Sequence, residues 1–304
     1  MKSSTLYILF ILICIHNPLS GNNINADIKG RVTCNGKPVQ SVVVTDGYSC
    51  VETNKDGIYS MPYNSFARFV YISTPSGYLT DTKEKTIPQF YKAIQPGNGL
   101  YDFHLKPNPK DDSKHLFIAQ TDVQMATDDD LGLYKKLLPD CASFIQAQPD
   151  IDVFGIDCGD IIGDNQALLP GYIEACSVLD IPIYRSIGNH DMDYNGRSHE
   201  TSYRTFEQNF GPVYYSFNKG EAHYIVINNT FFIGRQYFYM GYVDEKTFNW
   251  LEQDLSFVPA GSPVFLIIHI PTQLNEESQA FDYTANHIAS QTINAKALYE
   301  LLKP

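Results

Sequence analysis

Short apolar runs alternate with segments of helical periodicity from residue 115 to the end of the chain. The apolar runs are 116–119, 153–156, 181–187, 224–227 and 264–268. Nearly continuous apolar runs are typical of strands that are buried on both faces of a sheet. The helical segments follow Thr127 and Asp244, two residues that suit the N-cap position of a helix. This alternation predicts an α/β domain over residues 115–304.

The preceding part of the chain has a different pattern. Residues 27–105 contain short runs of β-branched and aromatic residues, separated by turn sequences at 35–38, 46–47 and 55–57. Short strands at this spacing predict a small all-β sandwich. Residues 106–114, with the sequence KPNPKDDSK, are polar and contain proline, which predicts a linker. A length of 304 residues accommodates two such domains.

The first 26 residues have the features of a secretory signal peptide. Lys2 supplies a positive charge, and residues 6–15 form a ten-residue apolar run that is followed by His-Asn-Pro. A membrane-spanning helix needs about 20 apolar residues, so this run is short for an anchor. We therefore expect a secreted or periplasmic protein.

Charge and cysteine content argue against several kinds of binding partner and site. The formal net charge of −12 gives no strong signal for binding to nucleic acids or anionic membranes. The five cysteines beyond the leader are too scattered for a disulfide framework or a cysteine metal site; they are Cys34, Cys50, Cys141, Cys158 and Cys176. Cys34 and Cys50 flank a predicted hairpin, and the sequence leaves open whether they form a disulfide or remain two thiols.

Potential metal ligands follow four of the apolar runs. Because ligands gather at the carboxyl ends of strands in α/β sheets, we expect these side chains to lie together. Aspartate and asparagine oxygens and histidine nitrogens are ligands for divalent metals. A single polar residue at a strand end usually caps a turn, whereas four such ends predict a metal site. The residues are Asp122 and Gln124, then Asp160 and Asp164, then Asn189, His190 and Asp191, and finally His269.

The order of these motifs resembles the calcineurin-like metallophosphoesterase family. The motifs are DVQ at 122–124, GDIIGD at 159–164, GNHD at 188–191 and the histidine of IIHIP at 267–271. The segment GRVTCNGKPVQSVVVTDG also resembles a carboxypeptidase-regulatory-like or transthyretin-like β-sandwich. A sandwich of this kind before these motifs resembles secreted bacterial members of the family. The resemblance implies a small all-β sandwich followed by an α/β metallophosphoesterase domain, in which two sheets form a sandwich that is flanked by helices.

The resemblance also implies a dinuclear metal site. Asp122 would bind one metal, Asp160 would bridge both, and Asn189 and His269 would bind the second. The family usually has histidine at the position of Gln124, which offers a carbonyl oxygen instead. The cofactors would be two divalent ions, with manganese, iron, zinc and magnesium all compatible with these ligands.

The implied activity is hydrolysis of phosphoric esters by a metal-bridging hydroxide. His190 would act beside the leaving group as a general acid or as a charge stabiliser, and Asp191 would orient its ring. Asp164 is expected to shape its turn. His223 lies in an apolar run and is expected to be a core histidine, whereas His199 and His287 lie in polar loops and are candidates for substrate contact.

Two alternatives remain open from the sequence. Family members complete the site with a GHxH motif, which has no counterpart before Pro304. We therefore expect a partial phosphoesterase domain with impaired metal binding and activity. The alternative is a noncatalytic secreted binding or surface protein on a degenerate phosphoesterase scaffold. A metallopeptidase is disfavoured because no HExxH motif is present. The residues do not distinguish between classes of phosphoester substrate.

Overall fold

The computed structural model describes residues 27–235, 238–272 and 285–303, with the side chains of 285–287 left out. The predicted signal peptide lies outside these residues. Eleven strands precede residue 108 in the described part of the chain. They are β1 (Ile28–Cys34), β2 (Lys37–Pro38), β3 (Val43–Thr45), β4 (Cys50–Glu52), β5 (Ile58–Met61), β6 (Phe69–Ile72), β7 (Tyr78–Leu79), β8 (Thr82–Lys83), β9 (Ile87–Pro88), β10 (Tyr91–Ala93) and β11 (Phe103–Pro107).

Nine of these strands form the predicted β-sandwich, and β8 and β9 pair with each other. One sheet has the order β2-β1-β11-β7, with β5 also paired to β1, and the other has the order β10-β6-β3-β4. Along β1 the side chains of Ile28 and Val32 are buried, whereas those of Lys29 and Arg31 are exposed. This alternation places one face of the strand in the core, which it shares with apolar residues of the second sheet such as Val44.

The rest of the chain forms the predicted α/β domain. Its elements are β12 (His115–Gln120), α1 (Asp128–Gln146), β13 (Asp152–Asp157), α2 (Leu169–Cys176), β14 (Ile183–Arg185), α3 (Arg204–Phe210), β15 (Tyr215–Lys219), β16 (Ala222–Val226), β17 (Thr230–Gly234), β18 (Phe238–Gly241), α4 (Glu245–Leu255), β19 (Val264–Ile267), α5 (Ala285–Ser290) and α6 (Ala295–Leu302). Strands β12, β13 and β14 form a parallel sheet, and β15, β16 and β19 form a mixed one.

Aromatic side chains join these two sheets. The ring of Tyr184 on β14 stacks on the ring of Phe217 on β15, with their centroids 3.6 Å apart. The Phe217 ring stacks in turn on Tyr224 of β16, and Phe154 of β13 packs edge-on against both. Burial of large aromatic surfaces therefore holds the two sheets face to face.

Both predicted N-caps are present. The Thr127 hydroxyl accepts the backbone N–H of Asp130, and the Asp130 carboxylate accepts the backbone N–H of Thr127, so a reciprocal capping box begins α1. The Asp244 carboxylate accepts the backbone N–H of Thr247 at 2.8 Å and begins α4.

The predicted linker is shorter and more ordered than its composition indicates. Strand β11 extends to Pro107, because Lys106 and Pro107 still pair with β7. The buried carboxylate of Asp112 then accepts the Ser76 hydroxyl and the Gly77 N–H at 2.8 Å on the sandwich side. It also accepts the Gly220 N–H of the α/β domain at 3.3 Å. The linker is therefore bonded to both domains.

The prediction that the α/β strands are buried on both faces is wrong for β12. Strand β13 is buried throughout, but Leu116 and Phe117 on β12 are 38% and 40% exposed, because β12 pairs only with β13 in the described part of the chain. Val264 and Phe265 on β19 are similarly exposed, and the Phe117 and Phe265 rings lie 6.2 Å apart. We call these four residues the open edge.

The described residues also show the state of two cysteines and the character of the helices. Cys34 and Cys50 are two separate thiols. No described helix combines the length and the apolar character needed to cross a membrane.

The open edge predicts self-association, because an unpaired strand edge with apolar side chains is a site for pairing between molecules. Replacement Phe117→Lys should increase the monomer fraction measured by sedimentation velocity, since a charge on an edge strand opposes such pairing. The matched control is Ile58→Lys, at an exposed position on β5 of the sandwich. An unchanged monomer fraction in Phe117→Lys would argue against the open edge as the contact.

Candidate metal centre

The sheet topology brings the predicted ligands together. Strands β12, β13 and β14 are parallel neighbours, so the residues that follow them meet at one edge of their sheet. His269 follows β19 in the facing sheet. Asp122, Asp160 and His269 each present one ligand atom, and these atoms lie within 4.8 Å of one another. Side chains from three separate strand ends therefore surround one point.

The backbone at this point is unusual. Asp122, Gln124, Asp160 and Asp164 have φ values of 52°, 43°, 53° and 63°, in the left-handed region that residues other than glycine rarely adopt. Such conformations cost free energy and cluster at functional sites. At Gly188 an added Cβ would lie 2.1 Å from the backbone N of Asp160. Only glycine therefore allows the loop after β14 to approach Asp160 this closely.

Asp160 is the buried centre of the cluster. Its Oδ1 accepts the backbone N–H of His190 at 2.7 Å, and its Oδ2 accepts the side-chain amide of Gln124 at 3.0 Å. Burial alone would raise the pKa of this carboxyl, but His269, the His190 N–H and the Gln124 amide outweigh it and lower the pKa. Asp160 is therefore held as a carboxylate.

His269 turns its Nε2 toward this carboxylate. Its Nδ1 lies 3.0 Å from the carbonyl oxygen of Cys158, which can only accept, so Nδ1 donates. Its Nε2 faces Asp160 Oδ2 at 3.3 Å and Asn189 Oδ1 at 3.0 Å. Two oxygen acceptors and a ring nitrogen thus converge, and they require a shared proton or a cation. Burial disfavours charge on the imidazole, but Asp160 outweighs it and raises the pKa of His269.

His190 is oriented by Asp164. Its Nδ1 lies 2.8 Å from Asp164 Oδ1, which also accepts the Tyr194 hydroxyl at 2.6 Å. Since the carboxylate is the acceptor, Nδ1 carries the hydrogen and Nε2 points toward Asp160, 3.8 Å from its Oδ2. Asp164 therefore does more than shape its turn.

The prediction that Asp191 orients His190 is wrong. The buried Asp191 carboxylate accepts the backbone N–H of Gly188 at 2.9 Å and of Ile162 at 3.1 Å. It thereby joins the loops after β13 and β14 and does not contact the imidazole ring. Burial, with a contribution from the Asp160 charge, raises the pKa of Asp191 to about 8.

Comparison with known proteins finds a family match in the sandwich that precedes this site. The family profile described as the N terminal of Calcineurin-like phosphoesterase matches residues 26–108. The matched residues form the β-sandwich, which is similar to the N-terminal domain of calcineurin-like phosphoesterases. This match confirms the family resemblance of the sequence. No curated protein is significantly similar to the chain.

One similar solved structure is purple acid phosphatase PPD1 from yellow lupin (Lupinus luteus) seeds. It aligns with a TM-score of 0.34 and 14% sequence identity, over 81% of this chain and 46% of that chain. The chain thus spans less than half the length of that phosphatase.

Asn229 is a site residue that the sequence motifs did not indicate. Its fully buried carboxamide accepts the backbone N–H of His269 at 3.2 Å and of Ile270 at 3.1 Å. It also donates to the Ile270 carbonyl and the Thr292 hydroxyl. Because β16 runs parallel to β19, a residue after β16 comes to lie beside His269. In the sequence, Asn229 could have been found from the polar pair Asn228-Asn229, which directly follows the apolar run 224–227.

His199 and His223 are both buried and bonded to neighbouring residues of the fold. The buried ring of His199 stacks on Phe231 at 4.3 Å, and its Nδ1 accepts the backbone N–H of Phe232. His199 is thus a core histidine and not an open substrate contact. The buried His223 bonds to Asn218 and Asp254, as expected for a core histidine. The side chain of His287 lies outside the described residues.

Replacement Asn229→Leu should weaken metal binding by about 10- to 100-fold, because residues that orient a metal ligand typically contribute that much. The measurement is calorimetric titration of the protein with Mn²⁺, with circular dichroism as the test of folding. Asn249→Leu, at an exposed position of α4, is the matched control. A folded Asn229→Leu variant with unchanged affinity would show that Asn229 does not position His269.

Acid should destabilise the β17–β18 hairpin through His199. Burial lowers the pKa of His199 to about 4, below the ordinary value of 6.5. The neutral ring therefore stabilises the fold above pH 6.5, and this contribution of up to about 3 kcal/mol is lost as the pH falls from 6.5 through 4. Urea unfolding at several pH values should show a shallower pH dependence in His199→Gln. Equal pH dependence in both proteins would contradict this role.

Proposed function

We propose that the chain hydrolyses phosphoric esters with the help of divalent metal ions. The observation that carries the proposal is the convergence of His269 Nε2 with Asp160 Oδ2 and Asn189 Oδ1, beside the Asp122 carboxylate. These groups are all suitable ligands for a divalent cation, and one bound cation would satisfy them together.

The ligand chemistry suits the metals that we expect. Carboxylate and amide oxygens together with one imidazole are compatible with manganese, iron, zinc and magnesium. Asp160 stands between Gln124 on one side and His269 and Asn189 on the other. This position supports the finer proposal of two ions with Asp160 between them, with Asp122 and Gln124 beside one ion and Asn189 and His269 beside the other.

The chemistry divides between metal and protein. Divalent ions held by these residues would polarise the phosphoryl oxygens and would lower the pKa of water, which would supply the nucleophile. His190 presents Nε2 to the site and, when protonated, donates its proton to the leaving oxygen of the ester. Asp164 holds the opposite nitrogen of that ring, and Asp191 fixes the two loops that carry Asp160 and His190.

The proposed substrate is a phosphoester, and the proposed location is outside the cytoplasm. The location rests on the apolar leader at residues 6–15. The acidic net charge of −12 supports a partner other than nucleic acid or anionic membrane.

Replacement Asp160→Asn should abolish the function, because it removes the central negative charge of the site. We expect Mn²⁺ affinity to fall by more than about 100-fold, since loss of a ligand costs more than loss of a supporting residue. Hydrolysis of 4-nitrophenyl phosphate and bis(4-nitrophenyl) phosphate with Mn²⁺ should disappear. The readouts are calorimetry and release of nitrophenol.

The matched control is Asp140→Asn, an exposed aspartate on α1. Metal binding by the unaltered protein without hydrolysis of any ester would favour the alternative of a noncatalytic binding protein. Hydrolysis that persists in Asp160→Asn would disprove the assigned site.

A further inference from the structure

An aromatic side chain stands beside the site without a place in the core. Phe238 begins β18 at the end of the β17–β18 hairpin, and its side chain is 49% exposed. Its φ of 59° lies in the left-handed region, where a bulky residue is rare. Another hairpin aromatic, Phe231, stacks instead on His199. Single exposed apolar residues are common on protein surfaces, so the position and the conformation of Phe238 decide its significance.

A chain of short contacts connects Phe238 to the catalytic histidine. Its ring meets the Tyr194 ring edge-on, with the centroids 5.4 Å apart. The Tyr194 hydroxyl donates to Asp164 Oδ1 at 2.6 Å, and the same oxygen holds His190 Nδ1 at 2.8 Å. Phe238 therefore lies one aromatic ring away from the carboxylate that orients His190.

Tyr194 and Phe238 thus form an aromatic rim on the side of the site where His190 lies.

We propose that this rim receives a planar aromatic group of the phosphoester substrate, with its ring against Phe238. The inference rests on the proposed function, because the phosphoryl group would lie at Asp122, Asp160 and His269. An aromatic partner can adopt the edge-to-face or offset geometry that Phe238 and Tyr194 already show with each other. A saturated ring of similar size gains apolar contact but not this geometry.

The test compares benzyl with cyclohexylmethyl compounds, which differ in aromaticity, and their phosphate esters share a CH₂–O leaving group. Calorimetry with the nonhydrolysable benzylphosphonate and cyclohexylmethylphosphonate, on the full chain with Mn²⁺, measures binding without turnover. We expect the benzyl compound to bind about 2- to 10-fold more tightly. The kcat/KM values of the corresponding phosphate esters should have a similar ratio.

Replacement Phe238→Leu should bring both ratios close to one, because an apolar side chain remains but the ring is lost. The matched control is Phe66→Leu, at an exposed aromatic residue of the sandwich, which should keep the ratios of the unaltered protein.

The outcomes separate this inference from the proposed function. Hydrolysis of both esters at equal kcat/KM, or ratios that Phe238→Leu leaves unchanged, would overturn the aromatic rim and leave the phosphoesterase intact. A benzylphosphonate preference that Phe238→Leu removes, without hydrolysis of any ester, would retain the rim and reject the enzyme. Failure to bind either phosphonate would overturn the rim.

Discussion

The buried carboxylate of Asp160 is the interaction around which the α/β domain is organised. A buried negative charge is costly unless other groups compensate for it. Here an N–H of His190, the amide of Gln124 and the imidazole of His269 come from three different strand ends. Gly188 allows the closest of these approaches. The parallel register of the strands, the left-handed turns that follow them and the facing of the two sheets all serve to bring these partners to one carboxylate.

The groups around this centre form a second layer that fixes the ligands. Asp164 and Tyr194 orient His190, Asp191 joins two loops through their backbone N–H groups, and Asn229 holds the backbone of His269 from the opposite sheet. These hydrogen bonds restrict the ring of His190 and the loops that carry the proposed ligands. The geometry of the site therefore depends on residues that make no contact with a substrate.

The architecture was predictable from the sequence because strands, helix starts and motifs are each specified by neighbouring residues. Apolar runs located the strands, Thr127 and Asp244 located two helix starts, and the ordered motifs located the ligand cluster. Relations between distant residues were not predictable. Which of Asp164 and Asp191 faces His190 depends on how two loops meet in space, and the exposure of β12 depends on which strand pairs with its outer edge.

The hydrogen bonds of Asp112 oppose independent movement of the two domains. A polar, proline-containing connection usually lets neighbouring domains reorient independently. Here one buried carboxylate accepts hydrogen bonds from Ser76 and Gly77 of the sandwich and from Gly220 of the α/β domain. Sandwich and α/β domain should then tumble in solution as a single rigid body, with one rotational correlation time.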